Sequence, residues 1–260
     1  MANYSATVNS QNQVFIKKQA SVLSKSLLVA GVAFIIMFAF SLALYAILSK
    51  TIVIGKNDNV LSAIYMVSIF CIIAVMIMSI FTMKGINTMK LSTIITMIIL
   101  YGVGNGMAFG VLFYAIEQSQ SAVNMIDIMT CFLLTGLIFG ICGSIGTVLS
   151  VKFTMSLGKF LMIATFAFIG IYLILIFTSL FTNGIFGSER INLLIWGVWG
   201  FLIILYIMYD FSIIKKSQPF VELLDAPTQT KYVFLFGFML FMNLIQLLWV
   251  LIRIMLSLKR

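Results

Sequence analysis

Histidine is absent from all 260 residues. Its absence excludes the zinc-protease helix motif, a serine–histidine nucleophile and the side chain that ordinarily titrates near neutral pH. Any pH response in that range would therefore fall to a displaced carboxylate. Charge is almost as scarce: 16 Lys and Arg with seven Asp and Glu make 9% of the chain, against about a quarter in a soluble domain. Proline occurs twice, at Pro219 and Pro227, both placed in the connection before the last apolar run, so regular helices elsewhere leave few backbone groups unsatisfied. The three cysteines, Cys71, Cys131 and Cys142, lie inside apolar runs without metal-ligand spacing and read as small buried hydrophobes. No cofactor, no resident metal and no catalytic residue is expected. A cleavable leader is not expected either, because the apolar run after residue 25 is too long for one.

What is abundant is hydrocarbon. The chain is 62% hydrophobic with a mean hydropathy of +1.17. Windows of about 20 apolar residues, the length that spans a bilayer as helix, occur at 26–48, 60–83, 91–116, 123–149, 157–182, 191–214 and 232–257. The runs are continuous rather than alternating, which excludes a strand barrel. The expectation is an all-α polytopic membrane protein of seven transmembrane helices. It has a polar N-terminal tail at 1–25, a membrane domain at 26–257 and a short end at 258–260. Its principal partner is the lipid bilayer. The net charge of +9 could suggest nucleic acid, but the lysines lie between apolar runs and no basic patch with interleaved aromatics exists, so nucleic-acid binding is rejected.

Ten lysines, among them Lys25, Lys84, Lys152, Lys215, Lys216 and Lys231, fall on the side of the N-terminus; five basic residues, including Lys50, Lys259 and Arg260, fall on the other. The excess predicts a cytoplasmic N-terminus and an external C-terminus in a cell membrane. If the seventh segment dips in and returns, the C-terminus is cytoplasmic instead. Two segments carry small residues every fourth position, Gly102, Gly106 and Gly110 in the third and Gly136, Gly140 and Ser144 in the fourth. That spacing lets neighbouring backbones approach, and helix packing is its expected role.

A few polar residues stand inside the apolar runs. In "LYIMYDFSIIKK", Asp210 follows a long apolar stretch, although an aspartate at a bilayer centre costs about 3 kcal/mol on insertion scales. Two readings stay open: an interfacial acid that reaches water or pairs with Lys215 or Lys216, or a functional acid inside the span. In the last segment Asn243, Gln246 and Arg253 fall within an arc of about 80° on one helical face, a stripe that should face the bundle interior or a water-filled cavity. Hydrogen bonding that only holds helices together is the alternative, and Arg253 is expected to snorkel outward. Asn105 could bridge helices, and Asp127 should be interfacial.

These residues resemble the Bax inhibitor-1 family, the transmembrane Bax inhibitor motif proteins. The resemblance rests on seven apolar spans, Tyr209–Asp210 late in the sixth, "YGVGNGMAFG" at 101–110, "KFTMSLGKFL" at 152–161 as a linker before the fifth, and an amide-bearing last span ending in Arg253. It covers most of 25–257 and implies six helices around a central seventh. It also implies a proton-sensitive calcium leak gated by two aspartates, one in the sixth span and one in the seventh. The first maps onto Asp210; the second maps onto Asn243, where this chain departs from the family. The arginine that some members carry in the second span is missing as well.

Two carboxylates in contact share a proton, whereas an asparagine cannot titrate but can donate to an ionised Asp210. The expectation is a passive calcium or cation leak gated near Asp210 and Asn243, with a weaker, single-site pH response. One carboxylate with two amides suits transit of calcium, which takes six to eight oxygens, rather than storage. The alternative is a non-conducting protein that modulates a membrane protease or a stress response through its tail or the 217–231 loop. An aspartyl protease is disfavoured because Asp210 has only the distant Asp127 as a second acid.

Overall fold

The computed structural model describes residues 2–51, 58–82, 90–118, 123–181 and 189–259. They form seven helices: α1 (Ala2–Thr51), α2 (Asp58–Thr82), α3 (Leu91–Gln118), α4 (Met125–Val148), α5 (Val151–Phe181), α6 (Glu189–Val221) and α7 (Ala226–Leu258). There is no strand among the described residues. Lys84 and Arg260, which count towards the predicted orientation, lie outside the described residues. Six helices are long and apolar enough to cross a membrane, and the apolar part of α2 described at Asn59–Val75 is shorter. The chain is a polytopic all-α membrane protein.

α7 lies at the centre. Its side chains are buried around the helix, with Leu240, Phe241, Ile245, Leu248 and Ile252 fully enclosed, as an all-round apolar helix requires. α1, α3, α4 and α6 pack directly on it, while α2 stacks on α3 and α5 on α6. α5 is thus peripheral, with Phe166, Ile171 and Ile174 facing outward. Aromatic rings knit the inner layer: Phe109 stacks on Trp249 at 4.4 Å, and Phe38 meets Phe132 at 4.6 Å.

Helix association in lipid depends on close packing more than on hydrophobicity, so glycine placement decides which faces meet. α3 accepts α1 at Gly106 and Gly110, where an added Cβ would lie 2.8 Å from Phe40 and 2.9 Å from Leu44. Gly102 makes ordinary contact with Phe241 of α7, and Gly104 takes α2 against Cys71. The expectation for α4 needs correction. A Cβ added at Gly136 or Gly140 would meet nothing within 4 Å, and Ser144 is exposed. The contact residues are Gly143, under the Phe211 ring, and Gly146, against the Met208 carbonyl of α6. Four-residue spacing identified a small-residue face, but α6 docks on the neighbouring one.

The helices run past their predicted ends. Only Leu149 and Ser150 separate α4 from α5, so 152–161 is the start of α5 rather than a linker. A Cβ added at Gly158 there would lie 2.7 Å from the Tyr209 ring. α6 continues seven residues beyond the predicted 214, and Pro219 sits in its last turn instead of in a loop. The 217–231 connection shrinks to 222–225, closed by Asp225, whose side chain accepts the Thr228 N–H, with Pro227 in the first turn of α7. α1 reaches back through the predicted tail to Ala2.

The re-entrant alternative for the last segment is overturned. α7 is one unbroken helix of 33 residues, about 50 Å long. Beyond its end Lys259 pairs with Asp127 in the first turn of α4, N–O 2.6 Å. The end of α7 therefore lies beside the start of α4.

Candidate functional site

The polar stripe of α7 meets neighbouring helices at successive turns. Asn243 Nδ2 donates to Asp210 Oδ2 of α6 at 2.6 Å. One turn on, Gln246 lies near the hydroxyl of Tyr101 on α3. Next, Trp249 Nε1 donates to Asn105 Oδ1, also on α3, at 3.0 Å, and the Asn105 amide donates to the Tyr101 carbonyl at 2.9 Å. Last, the Arg253 guanidinium lies over the Trp196 ring of α6 at 5.7 Å. Asn243, Trp249 and Arg253 thus each meet a different side chain on a neighbouring helix.

Asp210 is 6% exposed and eleven residues short of the end of α6, three turns deep rather than the single turn the sequence suggested. The correction follows from the longer helix. The Tyr209–Asp210 pair is split by the 100° helical step: the tyrosine turns to Gly158 of α5, the acid to Asn243 of α7. The interfacial reading, in which Asp210 pairs with a lysine, fails. Lys215 is exposed, and Lys216 reaches the other way.

Lys216 forms a clamp that the sequence reading missed. Its ammonium donates to the Ser150 carbonyl at 2.9 Å, to Ser212 Oγ at 2.7 Å and to Thr154 Oγ1, while Thr154 and Ser212 share a hydrogen bond of 2.6 Å. The turn between α4 and α5 is thereby fastened to α6, two residues beyond Asp210. A signal existed: Ser212 and Lys216 are four residues apart, on one helical face. Trp249 was missed because it reads as ordinary apolar filling until its indole N–H is given a partner.

Asn105 bridges α3 to α7 as expected. Gln246 lies near Tyr101 of α3, and Arg253 is exposed at the far end of the stripe, where snorkelling would carry it. Arg253, Trp196, Trp249 and Tyr65 line a small cavity of about 170 Å³. Asp127 accepts the Asn124 N–H at 2.8 Å and caps α4. Among the described residues, no three His, Cys, Asp or Glu side chains converge. The arrangement can hold one buried carboxyl against one amide donor, and protonation of that carboxyl would change the bond between two helices.

A family model described as "Inhibitor of apoptosis-promoting Bax1" matches residues 12–260. No curated protein matches the chain.

Proposed function

The chain belongs to the Bax inhibitor-1 family, and on that premise we propose that it is a passive cation leak, calcium being the favoured ion, with a gate where α6 meets α7. The observation that supports this most is the buried 2.6 Å contact between Asp210 and Asn243. With the acid ionised, the amide donates to a carboxylate and ties the two helices. With the acid protonated, the charge that strengthened the bond is gone, and the tie weakens. Passage would follow separation of the two rungs. A single carboxylate titrates once, so the pH response is shallow compared with that of an acid pair. No chemical step is assigned to the bundle.

In the same reading the N-terminus is cytoplasmic, the C-terminus external and the host a cell membrane, as the lysine asymmetry favours. The purified full chain in liposomes, with a calcium dye inside, tests the proposal. Flux above empty vesicles that varies between about pH 5 and 8 is the expected result.

A second reading has one observation in its favour: Asp210 is 6% exposed and already paired with Asn243. In that reading the contact only holds α6 to α7, and the protein acts through a membrane partner without conducting. No flux at any pH in that interval would select it.

A further inference from the structure

At the bundle end where α6 stops and α7 begins, a cavity of about 540 Å³ opens between α1 and α7, a size typical of small-molecule sites. Its lining grades along the helix axes. Lys25 and Glu222 stand at the bundle end, while Leu28, Val233 and Phe234 lie a turn or two further in. Leu28 is 66% exposed, so the groove opens sideways onto a surface that lipid covers.

Among the described residues, the two charged side chains of the lining have opposite sign. The ion pair among the described residues is Lys259–Asp127, so neither Lys25 nor Glu222 is neutralised by a salt bridge there. Lys25 is exposed. Glu222 is half-buried, and its Oε1 accepts the Gln218 amide at 3.2 Å, which leaves Oε2 for a further donor. Gln229 does not compete, because its amide is committed to the carbonyls of Glu222 and Leu224. Among the described residues the groove therefore offers one cation, one carboxylate and an apolar trough in a fixed order.

We propose that this groove holds one phospholipid whose headgroup carries a primary amine. The phosphodiester lies on Lys25, the ammonium on Glu222, and an acyl chain runs past Leu28, Val233 and Phe234. A headgroup of net negative charge would meet the carboxylate of Glu222 without an ammonium to balance it. A choline headgroup has a positive charge but no N–H to donate, and charge-assisted hydrogen bonds are the stronger kind. The assignment is independent of whether the protein conducts ions.

Native mass spectrometry of the full chain in detergent tests it, using phosphatidylethanolamine, phosphatidylcholine and phosphatidylglycerol with identical acyl chains. The wild type should retain the ethanolamine lipid about threefold to tenfold more than either of the others. Glu222→Gln should erase the excess over choline, and Lys25→Gln should lower retention of all three. Equal retention by the wild type, or phosphatidylglycerol retained most, overturns the proposal without any variant. An ethanolamine excess that survives both substitutions in folded protein also overturns it, because the lipid then sits elsewhere.

Discussion

Asn243 Nδ2 and Asp210 Oδ2 stand 2.6 Å apart where α7 packs on α6. A hydrogen bond to a charged group contributes about 1.5–3 kcal/mol net, and removing one partner of a buried polar pair costs more than replacing both. Asn243→Leu should therefore lower stability by about 3 kcal/mol. The double variant Asp210→Leu/Asn243→Leu should recover most of that loss. Unfolding in detergent, read by helical signal against denaturant, gives both values; additive losses would mean that the two side chains do not act as a pair.

Glycine positions on α4 should separate cleanly. A methyl at Gly146 enters the Met208 backbone of α6, and overpacking of this kind costs about 1–3 kcal/mol. Gly136→Ala and Gly140→Ala meet open space and should raise stability by up to about 1 kcal/mol through helix propensity. Melting temperatures of the three single variants decide the matter.

The Lys216 clamp predicts a local effect. Lys216→Met retains the stem and removes the donors to Ser150 and Ser212. It should cost about 1 kcal/mol, a modest value because the ammonium is only half-buried. Amide exchange should speed up at the turn between α4 and α5 and stay unchanged at the start of α7.

Asp225 supplies a pH-dependent cap. The Thr228 hydrogen bond, with Lys231 nearby, holds its carboxyl below the usual aspartate range. A carboxyl lowered on folding stabilises the native state above its unfolded value, and the contribution is lost as pH falls through the folded one. The stability difference between wild type and Asp225→Ala should be present at neutral pH and shrink in strong acid. A difference that stays constant would assign the cap to something other than the charge.

The sequence made the class plain and the depth obscure. Continuous apolar runs located every helix, because a bilayer demands about 20 such residues and few other structures do. Boundaries slipped wherever polar residues remain helical outside the apolar window, as at 215–221, and this misplaced Asp210 by two turns. The spacing of Asn243, Gln246 and Arg253 correctly marked one polar stripe, yet spacing within α7 cannot say which neighbour answers each rung. That depends on how α3 and α6 dock. Docking is set by glycines such as Gly146 and Gly158, whose partners are distant in the chain.

The most direct test of the account is the pH profile of calcium flux through liposomes for wild type, Asp210→Asn and Asn243→Asp. The wild type should show one shallow step, Asp210→Asn none, and Asn243→Asp a steeper step, since two adjoining carboxyls must share a proton. A profile for Asp210→Asn that superimposes on the wild type would contradict the proposed gate.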